Sequence, residues 1–180
     1  WIDIKRVFPA TFELATAALI LAALIGIPLG VWAAVKQGKL TDQIIRVVCL
    51  AGHSVPVFVL ALISLLVFYA TLGVAPGPGR QDIIYDGMIS PVTGLMTVDT
   101  LLAGDWDAFY DAIAHMVQPV CILAYFSMAY ITRMTRAFMI DALKGEYVIT
   151  ARAKGLSAMT VIWGHAFPTV AVQLVTVLAL

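Results

Sequence analysis

Residues 12–35 read FELATAALILAALIGIPLGVWAAV, a run with one charged side chain, Glu13. At about 1.5 Å of rise per residue, a helix of this length crosses a hydrocarbon core of roughly 30 Å. Glu13 falls at its start and is expected in the first turn. There the helix dipole favours an acid and the head-group region can solvate it. Gly26, Pro28 and Gly30 lie near the far end. GIPLG fits the GxxxG spacing of close helix contacts, though one instance alone does not specify a partner.

Composition agrees with that run. The chain has 180 residues, 62% of them hydrophobic and 12% charged, with a mean hydropathy of +0.96. Soluble domains sit nearer half apolar and a quarter charged, so the surplus points to a bilayer as solvent. Eleven bases balance eleven acids, which argues against a nucleic-acid partner and leaves the fold open. Cys49 and Cys121 both lie inside apolar runs and read as reduced, buried thiols rather than a disulfide or metal pair. The chain opens at Trp1 with neither an initiator Met nor a signal-peptide pattern. It stops at Leu180 inside AVQLVTVLAL (171–180). Both ends are therefore expected to be internal to a longer membrane protein.

Working outward, KQGKLTDQIIR (36–46) is a polar loop with three bases, and a second span is expected at about 47–74. A third is expected at about 113–132 and a fourth, truncated, at 166–180. Counting Lys and Arg on alternate sides puts eight on one face (Lys36, Lys39, Arg46, Arg133, Arg136, Lys144, Arg152 and Lys154) and three on the other (Lys5, Arg6 and Arg80). The base-rich side is expected to be cytoplasmic. The outer segment, 75–112, opens with PGPGR, a turn signal, and holds six aspartates. Within it Asp105 can cap a helix in which Trp106, Phe109, Tyr110 and Ile113 recur at helical spacing, with the apolar stripe at the membrane interface. A lid over the third span and a docking surface both fit. No repeat of 20–50 residues and no low-complexity stretch is present.

Several chemistries lack their motifs. GxxxxGK[ST], HExxH, CxxC and GxSxG do not occur, so no P-loop, zinc-protease, dithiol or serine-hydrolase site is expected. His53, His115 and His165 fall at three different depths and read as packing histidines rather than metal ligands or bases. His53-Ser54-Val55-Pro56 is more informative. Pro56 removes a backbone donor and frees a carbonyl near Gly52, which His53 or Ser54 could satisfy. Polar groups at membrane depth are also pathway candidates. His53, Ser54 and Pro56 thus have two readings, a structural kink or a pathway lining.

Residues 146–155 read EYVITARAKG. Glu146 suits a helix N-terminus, and Arg152 and Lys154 suit its C-terminus. Tyr147, Val148 and Ala151 are expected to form one apolar stripe, and the small Ala151 and Ala153 allow close approach. Gly155 can adopt the left-handed conformation that ends a helix. Ser157 can cap the next, which leads through Val161, Ile162 and Trp163 into the fourth span. The product is a short amphipathic helix tied to membrane helices on both sides, suited to passing force from a cytoplasmic partner into the bilayer.

EYVITARAKGLSAMTVIWGHAFP (146–168) resembles the EAA loop of ABC-importer permeases, in the form E-Y-x-x-T-A-R-A-K-G found in the peptide/nickel branch. Glu146, Thr150, Ala151, Arg152, Ala153, Lys154 and Gly155 match in order. FPATFELATAALILAALIGIPLGVWAAVKQG (8–38), PVTGLMTVDTLLAGD (91–105), AIAHMVQPV (112–120) and ITRMTRAFMIDAL (131–143) also resemble the dipeptide/oligopeptide permease subunit encoded first of its pair. After the loop the family often reads R-H-A-L-x-N, whereas here Gly164 precedes His165 and Thr169 stands in place of Asn.

The resemblance implies an all-α, polytopic transmembrane bundle of the type I importer permease kind, of which residues 1–180 form one domain, an internal fragment of a six-span subunit. It implies import of small peptides, or a related solute, across the bacterial inner membrane. The cytoplasmic segment 137–165 would couple the bundle to ATPases, through Glu146, Tyr147, Thr150, Ala151, Arg152, Ala153, Lys154 and Gly155. No catalytic residue and no cofactor would belong to this chain, because ATP and Mg would sit on partner subunits. The implied partners are a second, homologous permease subunit, two cytoplasmic ATPase subunits, a periplasmic substrate-binding protein and the lipid bilayer. An ion-coupled secondary carrier would need ionisable groups at membrane depth, for which His53 is the candidate. A membrane-embedded enzyme would need convergent catalytic residues that the sequence does not supply.

Overall fold

Helix length and apolar run length go together in this chain. The computed structural model describes the backbone of residues 2–85 and 87–178 and the side chains of 7–52, 54–85 and 87–176. Among them every regular element is helical. Helix α1 spans Ile2–Val35, and its apolar part, Val7–Val35, is long enough to cross a membrane. A turn with Gly38 at φ +78° leads to α2, Leu40–Ser54. Helix α3, Val57–Ser64, starts after Pro56 and continues as π-helical turns over Leu65–Thr71. Helix α4, Met96–Ala103, ends at Gly104 with φ +71°. Helix α5 runs unbroken from Trp106 to Leu143 with Pro119 inside it, and is also long and apolar enough to span. Helix α6, Glu146–Ala153, is followed by a π-helical stretch, Thr160–Ala166, and α7, Phe167–Leu178.

The Asp105 carboxylate accepts the Ala108 N–H at 3.0 Å, an N-cap bond at the start of α5. The expected interfacial helix and third span are thus parts of one helix. Both cysteines are free, but Cys121 is exposed and Cys49 half-buried, because each lies on a helix face with little protein over it. Many large apolar side chains are exposed, Leu24, Leu62 and Val172 among them, as expected of helices meant for a lipid solvent.

These helices form two compact units. The first takes the chain to Leu21 and from Val55 to Ala124. In it the outer segment is held down by Glu13. The Met96 N–H (3.1 Å), the Thr97 N–H (2.8 Å) and the Thr97 hydroxyl all donate to its carboxylate. Arg80 pairs with the same carboxylate at 3.2 Å and donates to the Gly94 carbonyl at 3.0 Å. The expected placement of Glu13 in the first turn of its own helix is therefore corrected. Helix α1 starts at Ile2, and the orphan N–H groups that Glu13 satisfies are those of α4. Asp99 closes the loop before α4, accepting from the Thr93 N–H and hydroxyl and from the Gly94 N–H.

The second unit holds residues from Ala22 to Ser54 and from Tyr125 onward. Here the GIPLG glycines admit α5 closely. A Cβ on Gly30 would stand 2.5 Å from the Thr135 Cβ and 2.8 Å from the Thr132 carbonyl. The Thr132 hydroxyl donates to the Gly26 carbonyl at 3.2 Å, adding a polar tie of the sort small-residue helix contacts permit. Arg136 of α5 grips Asp42 of α2 through two bonds, Nε to Oδ1 at 2.6 Å and Nη2 to Oδ2 at 2.7 Å. Asp42 also accepts the Gly38 N–H at 2.9 Å, so its carboxylate closes the turn as well.

Candidate coupling element and pathway residues

Helix α6 is short, and eight residues of helix would not persist alone in water. Packing holds it in place. Val148 and Ala151 are buried in one apolar cluster with Val31 and Ala34 of α1, Met139 of α5, Val161 and Ala166 of the π-helical stretch, and Val170 and Leu174 of α7. Val148 and Ala151, three residues apart, lie on one helix face, which sets the orientation of α6. Tyr147 departs from the expected stripe. It is 42% exposed, because one residue along a helix turns the side chain by about 100° away from the Val148 face. Its ring lies over Gly145, where a Cβ would stand 2.5 Å from Cε1.

Both ends are well terminated. Gly145 occupies the N-cap position, and exposed Glu146 sits in the first turn. The Thr150 hydroxyl donates back to the Glu146 carbonyl at 2.9 Å. At the other end Gly155 has φ +76°. Its N–H donates to the Arg152 carbonyl at 2.9 Å, and the Leu156 N–H to the Ala151 carbonyl at 3.4 Å. That pair of bonds is the Schellman pattern, which satisfies orphan carbonyls at a left-handed C′ residue. Ser157 then accepts the Thr160 N–H at 3.3 Å and caps the next helix.

The remaining named residues differ in position. Arg152, Ala153 and Lys154 are exposed at the C-terminal end, where the bases complement the dipole. Arg152 also borders a cavity of about 230 Å³ with Ala34, Leu143 and Val161. Three exposed apolar residues outside the expected stripe join this surface: Ile149 (58%), Leu156 (39%) and Met159 (66%). A signal exists for Ile149, which lies next to Val148 and hence off the buried stripe.

Around the second run, α2 ends at Ser54 and α3 begins at Val57, so the interruption falls at Val55 and Pro56. Ser54 and Pro56 are exposed, and the His53 side chain lies outside the described residues. Ser54 donates to the Leu50 carbonyl at 2.8 Å, not to the Gly52 carbonyl, because a hydroxyl on a helix reaches the turn behind it. In the first unit the Gln118 amide donates to Ser64 at 2.8 Å beside a cavity of about 440 Å³ lined by Phe58, Leu62, Pro78, His115 and Leu123.

The described residues thus combine membrane-length apolar helices with a short helix whose buried face packs into an apolar core. Residues 26–180 match the family described as the binding-protein-dependent transport system inner membrane component, and the chain belongs to that family. It is 42% identical over its full length to the di/tripeptide transport system permease protein DppB of Pseudomonas aeruginosa, covering 53% of that protein. It is 38% identical, again over the full chain, to the dipeptide transport system permease protein DppB of Escherichia coli, covering 53% of it. It is also 38% identical over 91% of its length to the peptide transport system permease protein SapB of Salmonella typhimurium, covering 51% of it. The chain spans about half the length of these curated relatives.

Proposed function

We propose that this chain is part of a multi-pass permease subunit of an ATP-driven importer of small peptides in the bacterial inner membrane. The observation that carries the reading is α6. Its Val148 and Ala151 are sealed into the core that α1, α5 and α7 share, while Glu146, Tyr147, Ile149, Arg152 and Lys154 stay exposed for a partner. A helix so attached cannot shift without moving the membrane helices packed on it. The peptide cargo is supported by the names of the relatives.

On this reading two cytoplasmic ATPase subunits carry ATP and Mg and hold α6. A second, homologous permease subunit completes the pathway, and a periplasmic binding protein delivers the solute. Closure of the ATPases displaces α6 and switches the bundle between inward- and outward-facing packings, by as much as their affinity for the two packings differs. His53, Ser54 and Pro56 are the candidates for the pathway. A polar interruption there offers hydrogen-bonding groups inside an apolar span.

The test is dipeptide uptake by the full-length subunit, reconstituted in vesicles with its ATPases and binding protein. ATP-dependent uptake is expected, lowered in His53→Leu with the complex intact. No ATP-dependent uptake by the wild type overturns the function. Unchanged uptake by His53→Leu makes the segment a structural break only.

A further inference from the structure

Between α2 and α5 lies a cavity of about 230 Å³ bordered by Arg46, Cys49, Leu50, Ala129, Arg133 and Arg136. Its two halves differ in chemistry. Cys49, Leu50 and Ala129 belong to apolar runs, whereas the three arginines stand where those runs meet the polar segments. Arg136 spends its fork on Asp42. Arg46 and Arg133 are exposed and have no carboxylate partner among the described residues, and Arg133 stacks over Tyr130 at 5.6 Å. Three guanidiniums against one carboxylate leave the rim positive. Bases scattered along a cytoplasmic loop would satisfy the positive-inside bias without any cavity. Here they converge on a hollow with an apolar floor.

We propose that this cavity binds the phosphate head of an anionic phospholipid, with Arg46 and Arg133 holding the phosphate and the glycerol and first acyl carbons lying on Leu50 and Ala129. Guanidinium forks match phosphate oxygens in geometry as well as charge. Basic pockets between helices at a membrane face are suited to lipid head groups. A soluble phosphate would use the rim and leave the floor idle, which is why the lipid is the occupant assigned.

The test uses the full-length permease in its assembled complex, placed in nanodiscs of equal parts phosphatidylglycerol and phosphatidylcholine. Native mass spectrometry counts the lipid retained. The wild type should keep phosphatidylglycerol in preference to phosphatidylcholine, and Arg46→Gln/Arg133→Gln should lower that preference roughly 30-fold. Ala137 also lines the cavity, so Ala137→Trp, which fills it and keeps the charges, should lose the preference too. Lys36→Gln/Lys39→Gln, which removes two bases outside the cavity, should retain it. The proposal is overturned if the arginine variant or Ala137→Trp keeps the preference, or if the lysine variant loses as much. Displacement by excess inorganic phosphate would likewise overturn it in favour of a soluble anion.

Discussion

Arg136 and Asp42 meet through two parallel bonds, 2.6 and 2.7 Å, across 94 residues of sequence. Asp42 is almost fully buried and Arg136 about one-fifth exposed. The geometry makes the pair a clasp between α2 and α5 just outside the apolar runs. Removing one partner leaves a charge in a site built for two.

Asp42→Asn is therefore expected to destabilise the subunit by about 3 kcal/mol. The guanidinium holds the Asp42 carboxyl down at about 2, below the roughly 3.9 of an unfolded Asp. A depressed carboxylate stabilises fully above its unfolded value, and the effect fades as pH falls through the folded one. The clasp should thus be intact at every pH above about 4. Thermal unfolding in detergent checks both points: the Asp42→Asn deficit should be constant from pH 5 to 8, and a deficit that shrank on going from pH 8 to 5 would contradict the assignment.

Gly30 and Gly164 should respond oppositely to alanine. At Gly30 the new Cβ meets the Thr135 Cβ at 2.5 Å and the Thr132 carbonyl at 2.8 Å, so a helix must move, at about 1–3 kcal/mol. At Gly164 the nearest atom is the Thr160 methyl at 3.8 Å, an ordinary contact, and alanine gains helix propensity. Melting temperatures of the two variants, measured side by side, decide this. Equal shifts would show that the α1–α5 approach is loose.

Glu13→Ala should free the outer segment without touching the spans. Arg80 loses its carboxylate and the first N–H groups of α4 lose their acceptor. The cost of about 1–3 kcal/mol should appear as roughly tenfold faster trypsin cleavage after Arg80. Glu13→Gln keeps an acceptor oxygen and should fall between. Wild-type cleavage rates in both would leave the segment held by something else.

Gly155→Val should uncouple transport while leaving membrane insertion near normal. No atom lies within 4 Å of a Cβ there, so the obstacle is φ +76° and not space. A β-branched residue resists that conformation, whereas Asn tolerates it. Gly155→Asn should retain most function, and Glu146→Ala should lose only a dipole-favoured acid worth about 0.3–1 kcal/mol. ATPase activity and uptake in the same vesicles provide the measurement. Wild-type values in Gly155→Val would reduce α6 to a connector.

Local features are readable in sequence because their causes are local. The ending of α6 at Gly155 and the Ser157 cap need only neighbouring residues. Long-range partners are not readable in this way. Sequence alone ties Glu13 to its own helix, because the N–H groups that donate to it, on Met96 and Thr97, lie more than 80 residues away. Asp42 and Arg136 register there only as charges. GIPLG signals a possible contact, yet nothing in the sequence names Thr132 and Thr135 as its counterparts. Tyr147 misleads for a different reason: adjacent helical residues share a sequence stripe more easily than a buried face.

The π-helical stretch at Thr160–Ala166 leads directly into α7. The Phe167 N–H bonds five residues back, to Ile162, so this turn stores one more residue than an α-helical turn would. Losing a single residue from it would let the chain wind as an ordinary α-helix while the residues beyond keep their angular phase, because the wide turn and the ordinary turn each complete one revolution. Val170 and Leu174 would stay on the cluster they share with Met139 and Val148. A regular turn of α7 holds no spare residue, and a deletion there would rotate everything downstream by about 100°. A one-residue deletion should therefore be absorbed at Thr160–Ala166 and be disruptive within α7.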